Sequence, residues 1–353
     1  MTTGRVVAVA VALLLPGLPA LAVLPDLFAQ VPFEQAVKDL ASSDPGIRLR
    51  AVQLLKSSSF EEAAIPLAAA VTDRQDDIQL EAIAAELNIF LNEPVVPRKR
   101  VALVVEKRSA VQAEQAFSGG VNALGPRPVP AEVLTAVRTA ARDENPRVAI
   151  EALYAFGVLA VQPGGDARRE LLRAAGPDIA AFIGSSDPAM RFAAVRVIGR
   201  VFAKRAHDET IESTVGDAVI TALNDNDRAV RAAAMQSLGT MRYDRGAQAL
   251  TDLFTYYGKG DAAEGALDAL ARIAHAASVP LFTAQLASKS AALRGIAIEG
   301  LARVGDPAQL PAIQAIVDKE REASVTLAGA FADRKSTRLN SSHLRLSRMP
   351  SSA

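Results

Sequence analysis

The chain of 353 residues has no cysteine, no tryptophan, three histidines and only 5% aromatic residues. Without cysteine there is no disulfide framework, no thiolate zinc site, no cysteine nucleophile and no lipid-modified cysteine anchor. The few aromatics argue against a large β-sandwich or barrel, which would lean on Val, Ile, Thr and aromatic side chains. Histidine is too sparse for much chemistry. His207 sits in the polar run AKRAHDETIES, His275 stands alone, and His343 lies in the basic C-terminal segment. None has a partner at metal-ligand spacing, and no Ser–His–acid arrangement stands out. No catalytic, cofactor-binding or metal-binding residue is therefore predicted.

One sign of charge is not in excess overall, with 39 basic and 39 acidic residues. The balance hides an uneven distribution. Arg5 at the start, and Arg334, Lys335, Arg338, Arg345 and Arg348 at the end, lie in segments without acids, so the body between is mildly acidic. That argues against a general binder of nucleic acid or anionic membrane, whose affinity would come from basic patches. The run Arg98-Lys99-Arg100, followed by Glu106-Lys107-Arg108, is the exception, and a solvated helix face accounts for it.

Both ends differ from the body. In residues 1–22, Arg5 precedes an apolar run from Val6 to Leu15, a break at Pro16-Gly17, and the small-x-small triplet Ala20-Leu21-Ala22. This is the pattern of a cleaved secretory signal. Its apolar run falls short of the roughly 20 residues that a membrane span needs. A periplasmic or secreted protein is predicted, with residues 23–32 as linker and no membrane insertion after cleavage. At the other end, residues 333–353 are Ser-rich and basic, without helical apolar spacing. The stretch KSTRLNSSH resembles translated sequencing-adapter sequence, which implies a natural chain continuing past Ala332. Residues 333–353 are expected to be disordered and carry no assigned function.

What the chain does have is Ala, Leu and Val in bulk. Half of its residues are hydrophobic, and Ala and Leu are the strongest helix formers. They recur in a pattern with an irregular period of roughly 30 to 42 residues. The clearest copy begins at Ala218. Val219, Ile220 and Leu223 mark a first helix, and a turn spans Asn224 to Asp227. Val230, Ala233, Ala234 and Leu238 then form the stripe of a second helix ending at Gly239. Asp227 suits the N-cap, and Gly239 suits a left-handed stop. Asp44-Pro45-Gly46-Ile47-Arg48 and Asp187-Pro188-Ala189-Met190-Arg191 open similar helices, the latter ending near Gly199, and so does Ala291-Ala292-Leu293-Arg294. Weaker copies start at Asp77, Asn145 and Glu264, and a half-copy fills Gln309 to Ala332.

The turn-plus-helix pattern D-x-x-V-R-x-x-A, the Leu-Gly stop and the link GDPAQLPAI at Gly305–Ile313 resemble the HEAT-like repeats of many bacterial proteins. Repeats of this type also occur in phycobiliprotein lyases. The resemblance covers residues 33–332, with a weak stretch from Glu93 to Ala131. It implies an all-α, right-handed α-solenoid of about 7–8 stacked helical hairpins. The physics agrees, because one hairpin has two apolar stripes and buries the second only against its neighbour. Burial at about 0.8 kcal/mol per CH₂ dominates stability. The spacings Asp44–Arg48, Asp187–Arg191 and Asp227–Arg231 predict i, i+4 ion pairs of about 0.3–0.5 kcal/mol each.

A solenoid without catalytic residues is expected to hold a protein or peptide along its second helices. The candidate partner-binding residues are Arg196, Arg200, Gln236, Asp268, Arg272, Glu299 and Arg303, which lie between the apolar stripes. Tyr256 and Tyr257 join them, since amphipathic tyrosine is enriched where proteins bind. Gly258-Lys259-Gly260 lacks the context of a phosphate loop and is predicted to be a turn. The Gly- and Pro-rich segment 118–130 is predicted to be an irregular loop. Two alternatives carry forward. One is a lyase- or chaperone-like protein handling a bound cofactor. The other is the sensor portion of a longer protein.

Overall fold

The computed structural model describes residues 33–58, 60–91, 113–118, 127–161, 165–204 and 210–339. The signal segment, the linker, the basic run 98–108, His207 and the tail beyond residue 339 lie outside these. Among the described residues all regular structure is helical, and most successive helices pack in pairs. Two compact units divide at Leu171 and Leu172, within helix α8 (Gly165–Ala181).

The first unit contains α1 (Phe33–Asp39), α2 (Pro45–Ser58), α3 (Ala64–Ala70) and α4 (Asp76–Phe90). It continues with α5 (Ala113–Ser118), α6 (Ala131–Ala140) and α7 (Pro146–Leu159). α1/α2, α3/α4 and α6/α7 are hairpins, and their second helices pack in the order α2, α4, α7. Ala51, Val52 and Leu55, then Ala82, Ile83 and Leu87, then Val148, Ala152 and Leu153 fill the core.

In the second unit, α9 (Pro188–Val201) follows α8. Next come α10 (Ser213–Thr221), α11 (Arg228–Met241), α12 (Ala247–Tyr257) and α13 (Asp261–Ile273). The last are α14 (Val279–Gln285), α15 (Ala291–Val304), α16 (Leu310–Val317) and α17 (Ala323–Leu339). The odd-numbered second helices α9 to α17 pack each on the next. α17 runs through Leu339, so helix continues into the basic segment that begins at Asp333.

Small residues bring these second helices close. A Cβ added at Gly239 would lie 3.0 Å from the Ala269 Cα on α13, and one at Gly199 would lie 2.9 Å from the Ser237 Cα on α11. Ser237 is buried and donates to the Val195 carbonyl at 2.8 Å. The sequence predicted helix ends at Gly199 and Gly239, and the structure corrects this. α9 runs to Val201 and α11 to Met241, with Arg242 (φ 49°) supplying the left-handed turn. The glycines are there because backbone meets backbone. Gly305 (φ 79°) does end α15, as its position predicted.

The arginine that opens each second helix also behaves differently from expectation. The aspartates before it cap their own helices. Asp187 accepts from the Ala189 N–H at 2.9 Å, and Asp227 from that of Ala229 at 2.7 Å. The arginines reach instead to the following repeat. Arg48 pairs with Asp73 through 2.7 and 2.9 Å bonds, Arg191 with Asp225 through the same two distances. Arg294 pairs with Glu320 at 2.7 Å. Each of these arginines also donates to two carbonyls of its own turn, as Arg191 does to Ser185 and Ser186. The acid is pinned too, since Asp225 accepts from the Asp227 N–H at 2.8 Å. A local i, i+4 contact would give one weak exposed pair. At Arg48 and Arg191 the rigid guanidinium fork instead gives a bidentate, mostly buried bridge between repeats, and Arg294 brings two nitrogens to one oxygen of Glu320. Where the arginine is Gln79, the amide spans to Asp143 at 2.9 Å.

One core position breaks the pattern. Leu55, Phe156, Ile198, Leu238, Leu270 and Leu301 occupy equivalent places on their helices, and α4 has Glu86 there. Glu86 is fully buried, and neither carboxylate oxygen has a hydrogen-bond partner. Burial alone pushes its carboxyl well above the usual carboxylate range.

Two stability outcomes follow from these contacts. Arg191→Ala is expected to cost about 1–3 kcal/mol by urea melting, since it strands a largely buried Asp225. Arg228→Ala, which breaks a pair 79% and 85% exposed, should cost under about 0.5 kcal/mol. The hydrogen bond from Arg191 lowers the Asp225 pKa below 3.8. That stabilisation is complete above 3.8 and vanishes as pH falls through the depressed value, and Asp225→Asn should remove this acid limb. Glu86 has the opposite sign. A carboxyl with a raised folded pKa stabilises most below the unfolded value of 4.5, and the stability declines as pH rises toward the folded value. Glu86→Leu should raise stability at neutral pH by about 1–3 kcal/mol and flatten this slope. A loss of stability on Glu86→Leu would contradict the assignment.

Candidate functional site

The core leucine or isoleucine of each second helix is buried, and the residues two before and two after it face the other way round the helix. In the second unit, those two before Ile198, Leu238, Leu270 and Leu301 are Arg196, Gln236, Asp268 and Glu299. Those two after are Arg200, Thr240, Arg272 and Arg303. All seven second-helix residues predicted from the sequence thus fall into two rows along one face of α9, α11, α13 and α15. Thr240 completes the second row and was passed over because it lacks charge. Every member is at least partly exposed.

The rows are electrostatically mixed. Arg196 lies over the Phe192 ring at 5.1 Å. Burial, and then the neighbouring Arg196, push Arg200 down to about 10. On α13 Arg272 donates to Asp268 at 2.8 Å, and on α15 Arg303 donates to Glu299 at 3.3 Å. Arg303 also stacks over Phe331 of α17 at 5.1 Å. Stems packed on aromatics and heads held by one-turn partners give long polar side chains defined positions. Among the described residues no three His, Asp or Glu side chains gather as a metal site. What the face offers is donors and acceptors spaced one helix apart.

Tyr256 and Tyr257 do not belong to these rows. They end α12, a first helix, beside the turn Gly258-Lys259-Gly260, where Gly258 (φ 67°) and Gly260 (φ 82°) are left-handed. Tyr256 is 83% exposed, and its ring meets that of Tyr257 edge-on at 5.1 Å. Phe254 instead packs into the core. His275 opens the short turn before α14, its Nδ1 accepting from the Ala277 N–H at 3.3 Å.

The first unit treats the same face differently. On α7 the equivalents of the two rows are Tyr154 and Val158, and on α4 they are Ala84 and Asn88. Tyr154, Val158 and Ala84 are buried. Helix α5 packs across α7 and reaches α4. It turns Ala113, Ala116 and Phe117 inward and leaves Glu114, Gln115 and Ser118 exposed. The Phe117 and Tyr154 ring centroids lie 5.3 Å apart. Glu151, one turn before Tyr154, accepts from the Ala113 N–H at 2.7 Å. Burial raises the Glu151 pKa; the Ala113 bond and Arg147 pull it back only in part. Sequence analysis saw none of this, because α5 falls in the weak stretch from Glu93 to Ala131. Its one available signal was the spacing of Ala113, Ala116 and Phe117.

With the geometry in place, comparison with known proteins agrees on the type of repeat. The family described as HEAT repeats matches residues 177–256, from the end of α8 through α12. Residues 177–256 thus match HEAT repeats, within a chain whose described residues are all-α. None of the curated proteins matches it. Among solved structures, a designed armadillo repeat protein in complex with the peptide (KR)4 is 15% identical, with a TM-score of 0.44, 77% of this chain covered and 98% of that one. An engineered structural-genomics protein is 20% identical, with a TM-score of 0.44 and coverage of 86% and 88%. Escherichia coli YibA is 13% identical, with a TM-score of 0.44 and coverage of 85% and 92%.

An outcome separates exposed site residues from structural ones. Tyr256→Ser is expected to change stability by less than about 0.5 kcal/mol. Tyr243→Phe removes a 2.8 Å bond to Asp217 and should cost about 1 kcal/mol. Equal losses in thermal melts would show that Tyr256 is part of the packing.

Proposed function

We propose that this is a non-catalytic, protein-binding scaffold that holds a protein or peptide along the second-helix face of its second unit. One observation carries the proposal. On helices otherwise built of Ala, Val and Leu, two rows of long polar residues stand in register and at least partly exposed, from Arg196 and Arg200 to Glu299 and Arg303. Arg303 also contributes to the stack through Phe331 of α17, while Gln236 and Arg272 are exposed. Cations and carboxylates along the rows suit the backbone and side chains of an extended chain, with specificity set by charge register. Tyr256 and Tyr257 supply a second, aromatic contact at the first-helix edge. The HEAT-repeat match agrees with a binding role for this fold. The signal-like segment 1–22 supports a setting in the cell envelope or outside the cell, with nucleic acid disfavoured by the acidic body.

The test is capture of partners from an envelope extract by the mature chain, beside Arg196→Glu and Arg272→Glu variants that melt like wild type. A retained protein that each reversal weakens at least 10-fold is the expected result. Retention unchanged by both reversals, or turnover of a small molecule with no protein retained, would overturn the proposal.

A further inference from the structure

Among the described residues, the α5 contact is the one place where the second-helix face is already occupied. Chain connectivity does not require it. Neighbouring helices in such folds are joined by about 2–8 residues, as Tyr257 is joined to Asp261 across one short turn. The link from α4 to α6 instead runs from Leu91 to Ala131 and contributes α5 on the way. A helix of six residues has no stability of its own in water. α5 is helical because the surface of α7 holds it.

That surface is specific in three ways. It accepts two small residues and one aromatic at i, i+3 and i+4, namely Ala113, Ala116 and Phe117. It stacks the aromatic on Tyr154. It offers the Glu151 carboxylate to the first N–H of the incoming helix, where a negative charge also complements the helix dipole. These are the elements of helix-in-groove recognition. Of these, Tyr154 stands at the position on α7 that matches a polar row of the second unit, and Glu151 lies one turn before it.

We propose that α4 and α7 form a docking groove for a short amphipathic helix of a partner protein, one with a small-x-x-small-aromatic face, and that α5 is its built-in competitor. The inference rests on the second-helix face being the binding face of the repeats. It adds the partner's chemistry and an autoinhibitory contact. Among the described residues of α5, Phe117 is the one large apolar side chain it inserts, beside the Ala113 bond to Glu151 and a 3.5 Å bond from the Tyr154 hydroxyl to Glu114. A tethered occupant acts at an effective concentration of about millimolar. It weakens an outside helix in inverse proportion to the fraction of time the groove is empty.

The probe is a fluorescein-labelled peptide of residues 109–120, titrated into the full chain by anisotropy. Two further full chains carry Phe117→Ala or Ala116→Arg, each of which ejects α5 by a different route. Both are expected to bind the peptide at least 10-fold more tightly than the unaltered chain. A peptide carrying Phe117→Ala should bind at least 10-fold more weakly than the unaltered peptide. Should either chain melt early, hydrogen exchange on the unaltered chain is the second readout. Saturating peptide should then strip protection from Ala113–Ser118. Equal binding to all three folded chains, indifference to Phe117→Ala in the peptide, or retained protection would each overturn the proposal. Arg196→Glu and Arg272→Glu should leave this binding unchanged. Failure here is therefore distinct from failure of the scaffold proposal, which those two variants test.

Discussion

Close contact between successive second helices is the constraint from which the rest follows. A hairpin of Ala-rich helices has little to bury by itself, because methyl groups contribute only when they touch something. Gly199 against Ser237 and Gly239 against Ala269 bring the backbones near enough for short side chains to mesh. Larger residues would hold the helices apart and leave Val195, Leu238 and Leu270 poorly packed. The chain therefore depends on its neighbours along the stack, as repeat proteins do.

Close approach alone would permit sliding, and polar bridges prevent it. Arg48, Arg191 and Arg294 each tie the carbonyls of their own turn to an acid in the turn of the next repeat. Where the arginine is present without its acid, as at Arg231, the following turn has Gly258 at the acid's place and the arginine keeps only its own carbonyls. With register fixed this way, positions on the opposite face line up by themselves. The rows from Arg196 to Glu299 and from Arg200 to Arg303 are a by-product of that alignment, which selection can tune without disturbing the core.

The repeat grammar was legible in the sequence because caps and apolar spacing are local. Asp187, Asp227 and Asn145 cap the helices they were expected to cap. The second-helix polar residues were legible too, since a 3.6-residue period assigns faces without coordinates. Contacts made between repeats were not. The arginines were paired with the nearest aspartate in the sequence, while their true partners lie a repeat away. The glycines were taken as stops because a stop is the local use of glycine. Glu86 was passed over as one more acid on a helix, and only its burial among apolar neighbours marks it out. Helix α5 was hidden for the same reason, because its six residues derive their structure from α7 and not from themselves.

The dependence of each hairpin on its neighbour is tested most directly by hydrogen exchange on a Gly239→Val chain. That side chain would wedge α11 from α13 at the Ala269 backbone. Lost protection centred on α11 and graded through α9 and α13, with α2 and α4 unaffected, is the predicted result. Loss confined to α11, or spread evenly over every helix, would contradict the account.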